Sequence, residues 1–350
     1  MVDAPPDPPA RTRRPRYPGR NPQAFDQKYK ELNAERYADD VQKIRDAGKT
    51  PAGSHVPIMV AEVLDCLRPQ PGETAVDCTL GGGGHARSLL ERIFPGGRLI
   101  GLDIDPLELP RTVGRLAAAG FNPPAFTAHL KNFAGLPKVL AEEGIAGADV
   151  ILADLGVSSM QLDNPARGFS WKGVGPLDMR MNPSRGEPAS RLIARLSESD
   201  LAALLRDHAD EPHADRIAGA LKRQTIETTH ALERLVRTEL ASSELRLDNA
   251  AVKLSVRRTF QALRIAVNDE FGVLDSLLRV LPGCLNANGR IAILTFHSGE
   301  DRRVKKAFQR GQREGIYSAV ATQVIRSGME ETRANRRASA AKLRWAVRSP

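Results

Sequence analysis

Aspartates sit at the ends of three strand-like segments, and one of them leads into a run of four glycines. The segment reads Val76-Asp77-Cys78-Thr79-Leu80-Gly81-Gly82-Gly83-Gly84-His85-Ala86. Glycine lets a backbone come close to a ligand, and a helix that opens at the loop turns unpaired N–H groups toward it. Asp103 follows Gly81 by 22 residues and ends the next apolar run. A carboxylate at that place accepts both hydroxyls of a ribose. Strand, glycine loop, helix and downstream aspartate together describe a site for a nucleoside-bearing cofactor.

Two cofactors compete for it. Gly81-x-Gly83-x-x-Ala86 satisfies the dinucleotide pattern G-x-G-x-x-G/A, so an NAD(P)-dependent oxidoreductase is one reading. Against it, Asp77 stands four residues before Gly81 and gives D-x-x-x-G-x-G, the spacing of methyltransferases that act on exocyclic amines. Asp154 closes a further strand at the same edge. S-adenosyl-L-methionine has an adenosine to grip and a sulfonium cation to balance. Carboxylates at strand ends suit that ligand better than they suit a pyrophosphate.

The elements that must hold these residues alternate. A helical stretch, Ile58–Leu67, and a turn at Pro69–Gly72 precede a strand, Thr74–Asp77. Strands follow at Arg98–Leu102, Ala125–His129 and Val150–Ala153, separated by helices to Ile93, over Leu107–Ala118 and over Leu136–Glu143. Such alternation implies a parallel sheet covered on both faces, an α/β Rossmann-like fold whose ligands bind at the carboxyl edge. It breaks at the Gly- and Pro-rich residues 160–188. Residues 190–250 read as purely helical, with Ser197-Glu198-Ser199-Asp200 as a start signal. Strand texture returns at Arg290–Phe296. The expected organisation is therefore a discontinuous catalytic domain (54–164 and 256–350) interrupted by a helical subdomain (165–255). A Pro- and Arg-rich extension (1–53), with a charged helix over 24–47, precedes it.

Composition narrows the partners. Of 350 residues, 41% are hydrophobic and 27% charged, with a net charge of +9. No apolar run approaches a membrane span, and the N-terminus lacks the apolar core of a secretory signal. Three cysteines without a CxxC pair fit a reducing cytoplasm and argue against a disulfide or zinc scaffold. Residues 301–350 hold 13 basic and 4 acidic residues and so match the whole net charge, whereas residues 51–300 hold 27 and 30. A basic end segment points to a polyanion such as nucleic acid. Aromatics, at 5%, are too few for a broad base-stacking platform.

Further segments are too specific for generic loops. They are His55-Val-Pro, Asp154-Leu-Gly-Val-Ser-Ser-Met-Gln161-Leu-Asp, Arg167-Gly-Phe-Ser-Trp and Gly175-Pro-Leu-Asp178-Met-Arg180-Met. Arg258-Thr-Phe-Gln-Ala-Leu-Arg-Ile-Ala-Val-Asn268 and Phe296-His-Ser-Gly-Glu-Asp-Arg302 complete the set. Together with Thr79-Leu-Gly-Gly-Gly-Gly-His85 they resemble, in order over about residues 54–347, the bacterial ribosomal small subunit methyltransferase H family. The resemblance implies a methyltransferase that uses S-adenosyl-L-methionine to modify a cytosine exocyclic amine (N4) in 16S rRNA of the small ribosomal subunit. Residues 1–53 are read as lying outside it.

The resemblance also implies roles. Gly83, Gly84 and His85 surround the methionine end of the cofactor, Asp103 holds the ribose, Phe133 packs on the adenine, and Asp154 and Gln161 complete the pocket. Asp154 is the expected catalytic group, close to both methyl and amine. Related amino-methyltransferases carry Asp/Ser-Pro-Pro-aromatic there. This chain has Asp154-Leu-Gly-Val, so Phe169 or Trp171 is the candidate stacking ring. The target base must leave its stack to reach the pocket.

Arg257, Gln261, Arg264 and Asn268 share one face of a helix and, with Arg258, are candidates for gripping RNA. Asp178 and Arg180 either pair with each other or touch substrate. His297 follows a strand at the ligand edge. Arg302, Arg303, Lys305 and Lys306 are expected to bind phosphates without reading sequence. Ser298, with Asp301 as capping partner, accounts for the acids near His297 without a metal. Four departures from the family pattern stand out: Gly299 for Leu in H-S-L-E-D-R, Ser255-Val-Arg257 for P-A-T, Asp210-Glu211-Pro212 for G-E-E, and Asn335-Arg-Arg-Ala-Ser near the end. A catalytically silent RNA-binding assembly factor is the reading from a different class, which the intact glycines and carboxylates disfavour.

Overall fold

Side chains along the central strands alternate between two apolar layers, and this period of two fixes the fold. Val76, Ile100, Ile151 and Ile293 enter one core, while Ala75, Leu99, Val150 and Leu294 enter another. All eight are fully buried, each aliphatic one contributing roughly 1.5–3 kcal/mol over an exposed position. The computed structural model describes residues 57–241 and 246–350. The extension 1–53, its helix 24–47, and His55 and Val56 lie outside the described residues.

The first half runs α1 (Val60–Leu67), β1 (Thr74–Asp77), α2 (Gly84–Ile93), β2 (Arg98–Asp103), α3 (Leu109–Ala118), β3 (Phe126–Leu130), α4 (Leu136–Glu142), β4 (Ala148–Asp154) and α5 (Ser159–Asp163). A helical stretch follows: α6 (Ala189–Arg195), α7 (Glu198–Ala209), α8 (Ala214–Lys222), α9 (Thr229–Leu240), α10 (Asn249–Asn268) and α11 (Glu270–Cys284). The chain closes with β5 (Leu285–Thr295), α12 (Ser298–Arg313), β6 (Tyr317–Val320), α13 (Met329–Ala334) and β7 (Lys342–Arg348). The sheet order is β3-β2-β1-β4-β5-β7-β6. The first five pair parallel, and β7 is antiparallel to both neighbours.

The helical stretch has a core of its own, in which Leu201, Leu205, Ile217, Leu232 and Val236 meet Val256, Phe260 and Leu263 of α10. Ser197 caps α7, accepting from Asp200 N–H, and Asp248 caps α10, accepting from Ala251 N–H at 2.7 Å. Helix α10 is continuous over 20 residues, so the boundary read at 255/256 falls inside it. The apolar residues that pack on the insertion continue past 255 on the same helix face.

Sequence reading missed β6 and β7. Residues 342–348 read as a basic tail, yet β7 lies between β5 and β6, with Leu343 and Ala346 fully buried. Its cations are spent on the fold. Arg344 Nε donates to Asp301 Oδ1 at 2.6 Å, Lys342 lies 3.6 Å from Asp301 Oδ2, and Arg348 donates to the Pro282 carbonyl. Truncation after Ala341 is therefore expected to abolish cooperative thermal unfolding followed by circular dichroism. A truncated chain that melts like the full one would show that the strand is dispensable.

Candidate active site

Four adjacent parallel strands deliver a carboxyl to one edge. Asp103, Asp77 and Asp154 are the last residues of β2, β1 and β4, and Glu300 follows β5 in the first turn of α12. All four line one cavity of about 500 Å³ with the glycine loop, Pro57, Phe133, Gln161, Arg264 and Asn268.

The glycine loop is held from below. Asp103 Oδ2 accepts from Gly81 N–H at 2.6 Å and Oδ1 from Asp105 N–H at 2.8 Å, and the Thr112 hydroxyl donates to the Gly81 carbonyl. Gly81, Gly82, Gly84 and His85 line the cavity, but Gly83 does not. Its place is structural. It precedes α2 at φ +77°, and a Cβ there would lie 2.7 Å from Thr112 Cγ2, so both conformation and space demand glycine. Thr79 ties two strands: its hydroxyl accepts from Asp154 N–H at 2.6 Å, and its N–H donates to Asp77 Oδ1 at 3.0 Å.

Like charges out of water resist ionisation. Burial, with Asp103 adding repulsion, lifts Asp77 to about 7. Burial lifts Asp103 to about 6 against the N–H groups it accepts. Burial, then Asp77 and Glu300, raise Asp154 to about 8. Asp154 Oδ2 lies 3.7 Å from His85 Nε2, while Oδ1 is buried with no hydrogen-bond partner among the described residues. Glu300 differs. Burial pushes its carboxyl up, but His297 Nε2 at 3.2 Å, Arg264 and the Phe296 N–H at 2.9 Å outweigh that and hold it below its usual value.

Several candidates prove to be scaffolding. Gln161 forms a capping box with Ser158 and donates to Asp105 Oδ2 at 2.8 Å; it still lines the cavity. Arg264 donates from Nε and a terminal nitrogen to the two oxygens of Glu270, at 2.7 and 2.8 Å. Asn268 bridges Met179 O and Met181 N–H. Both line the cavity, with these polar groups engaged by the protein itself. Gln261 and Arg258 are half-buried and off the cavity, whereas Arg257 is exposed and lines it. Asp178 and Arg180 pair with each other, at 2.7 and 2.8 Å, away from the cavity. Phe169 is buried in the helical core and Trp171 packs edge-on against Phe260 at 5.1 Å, and neither lines the cavity. Phe133 lines the cavity.

Helix α12 also differs from expectation. It begins at Ser298 with His297 at the N-cap position and no side-chain cap, and Glu300, not Asp301, reaches back to a backbone N–H. Glu270, His297 and Glu300 place ligand atoms within 4.8 Å of one another, but Arg264 fills both oxygens of Glu270, and its charge opposes a cation there. Arg303 lies 3.8 Å from the centroid of Phe271 and 3.3 Å from Asp275, so it is not a free phosphate ligand. Arg302, Lys305 and Lys306 are exposed on α12 and off the cavity. A Cβ at Gly299 would stand 2.6 Å from Phe271 Cζ, so glycine here makes room for that ring.

Sequence reasoning missed Asp105 and Arg167. They form a buried pair at 2.8 Å, and Arg167 also donates to the carbonyls of Arg180 and Met181, anchoring loop 160–181 to β2. Only the motif Arg167-Gly-Phe-Ser-Trp hinted at it. Pro57, from the His55-Val-Pro segment, and Arg336 and Arg337, from the basic end segment read as facing a polyanion, also line the cavity, as does Ile58, which had not been singled out as a site residue.

Two predictions follow from these contacts. Asp77 and Asp154 hold protons in the folded state up to about 7 and 8 that an unfolded aspartate has lost near pH ~4. The folded state binds more protons, so the melting temperature should fall as pH rises from 7 to 8.5. Asp154→Asn should flatten that slope. A melting temperature that climbs over this range would refute the assignment. Gly299→Leu should cost roughly 1–3 kcal/mol in urea unfolding through overpacking against Phe271, and adding Phe271→Ala should recover part of it.

The MraW methylase family matches residues 52–349. Ribosomal RNA small subunit methyltransferase H 1 of Lachnoclostridium phytofermentans is 45% identical over 346 residues, covering 97% of this chain and 94% of that protein. The protein of the same name from Agathobacter rectalis is 45% identical over 342 residues, covering 96% and 97%. Ribosomal RNA small subunit methyltransferase H of Halorhodospira halophila is 45% identical over 270 residues, covering 75% and 80%. Coverage of 97% reaches well into residues 1–53, which sequence reading had set outside the resemblance. With the family matched over nearly all of its described length, the chain belongs to the MraW methylase family.

Proposed function

We propose that this chain transfers a methyl group from S-adenosyl-L-methionine to the exocyclic N4 amine of a cytosine in 16S rRNA of the small ribosomal subunit, and that it does so in the cytoplasm. The observation that carries this reading is the buried Asp154 Oδ1, without a hydrogen-bond partner among the described residues, in a cavity floored by carboxyls at the carboxyl edge of a parallel sheet. That floor suits a cationic ligand. The glycine loop suits close approach by its methionine end, Asp103 its ribose, and Phe133 its adenine. Membership of a methylase family leaves the oxidoreductase and silent assembly-factor readings without support.

When bound, the cofactor supplies an electrophilic methyl on a sulfonium. The chain supplies alignment, which is most of what in-line transfer needs. A cytosine amine is a weak nucleophile because its lone pair is delocalised into the ring. Asp154 Oδ1, once ionised, accepts an N–H of that amine, fixes its direction and raises electron density on nitrogen. The proton that the amine sheds passes to the same oxygen. A cation held beside Asp154 would favour its ionised, accepting form. The helical stretch from α6 into α10 forms a helical subdomain beside a discontinuous methyltransferase domain.

Incubation with methyl-labelled S-adenosyl-L-methionine and small ribosomal subunits should place label on a cytosine N4; absence of label there would reject the function. Asp103→Ala, checked for folding by circular dichroism, should weaken cofactor binding at least about tenfold by calorimetry, equivalent to 1.4 kcal/mol. Unchanged affinity would undo the ribose role.

A further inference from the structure

The cavity lining carries charge of both signs. Its floor holds Asp77, Asp103, Asp154 and Glu300. Of the cations in its lining, Arg264 is neutralised by Glu270, Arg337 pairs with Asp163 at 3.0 Å, and Lys131 pairs with Glu142 at 2.5 Å. Two remain. Arg257 projects from α10, and Arg336 from the short 3-10 turn Arg336–Ala340 that leads into β7. Both line the cavity, both are exposed, and neither has a side-chain hydrogen bond or ion pair among the described residues.

A nucleotide presents two chemistries to such a site. Its base is neutral and enters an acidic interior without electrostatic cost. Its phosphates carry charge that would have to leave water inside an enclosed space beside Asp103 and Glu300, so they stay at the mouth. Unpaired guanidiniums exposed there meet them with forked donors that match phosphate oxygens. We propose that Arg257 and Arg336 form a two-point clamp for the RNA phosphates flanking the nucleotide whose base enters the cavity. The proposal rests on the RNA-cytosine reading above. The clamp fixes the depth of the base without reading sequence, since phosphate contacts position and base contacts specify. It also separates these two arginines from Arg302, Lys305 and Lys306, which lie off the cavity on α12 and so have no part in the clamp.

The test uses the full chain with S-adenosylhomocysteine bound and two probes, cytidine and cytidine 3′,5′-bisphosphate, titrated by calorimetry at low salt. Wild type should bind the bisphosphate at least about tenfold tighter than cytidine. Arg257→Ala and Arg336→Ala should each shrink that preference several-fold, and the double variant should abolish it. Affinity for S-adenosyl-L-methionine should stay at the wild-type value, which also verifies the fold. The slope of log affinity against log salt for a short single-stranded RNA should drop by about 0.7 per arginine removed. A preference that survives in the double variant overturns the clamp. So does Arg336→Ala losing cofactor affinity while keeping the preference, because the side chain would then serve the carboxylate of the cofactor. If wild type labels small subunits and the double variant does so with unchanged KM, the clamp alone falls. If wild type does not label them, the reading of function falls first.

Discussion

Crowding of carboxyls at one sheet edge is the constraint on which the rest of the structure depends. Parallel strands in register bring their last residues side by side: Asp77 pairs with Gly101 two positions before Asp103, and Asp154 pairs with Leu294 just before the β5 terminus. Acids at neighbouring strand ends must then share one desolvated space, which disfavours ionisation of all but the member best supplied with donors and cations. The chain answers with local donors. Backbone N–H groups of Gly81 and Asp105 turn to Asp103, that of Thr79 to Asp77, and His297 and Arg264 face Glu300. Asp154 receives least, and its Oδ1 keeps the unmet demand that a ligand can fill.

The same pressure explains where the positive charge goes. A chain with a net charge of +9 invites a reading of free basic surface, but many cations are used to satisfy buried acids or to close loops. Arg167 neutralises Asp105, Arg264 neutralises Glu270, Arg344 and Lys342 converge on Asp301, and Arg337 ties the C-terminal turn to Asp163. Breaking such a buried pair by removing one partner leaves an uncompensated charge, typically costing about 3–5 kcal/mol. Net charge alone therefore overstates the surface available to a polyanion. What matters is which guanidiniums lack a carboxylate.

Legibility of the fold in the sequence follows the same logic. The parallel strands β1, β2 and β4 were readable because burial on both faces makes them near-continuous apolar runs bounded by turns, whereas the edge strand β3 was legible only from the alternation around it. Strand β7 was not. Lys342-Leu-Arg344-Trp-Ala-Val-Arg348 mixes cations into its register, and only their partners Asp301 and Pro282 O, distant in sequence, explain why they can be there. Within the site, Asp77, Asp103 and Asp154 could be picked out because strand-end position is local information. Arg264 and Asn268 looked like ligand groups for a reason that was sound as far as it went: they do face the cavity. That Glu270, Met179 and Met181 already claim them is a tertiary fact, as is the Phe271 ring that makes Gly299 necessary.

Helix α10 shows why the helical stretch cannot be treated as an addition to a finished catalytic domain. At 1.5 Å per residue its 20 residues extend roughly 30 Å. Val252, Val256, Phe260 and Leu263 bury one side in the helical core, while Arg257, Arg264 and Asn268 line the cavity. One rigid rod thus belongs to both bodies. Arg264 holds Glu270 at the start of α11, and Asn268 holds the 179–181 backbone to which Arg167 and hence Asp105 are attached. Displacing the helical core would therefore move the cavity wall and the loop anchored on β2 together. Through α10 the helical core thus contributes residues to the cavity lining.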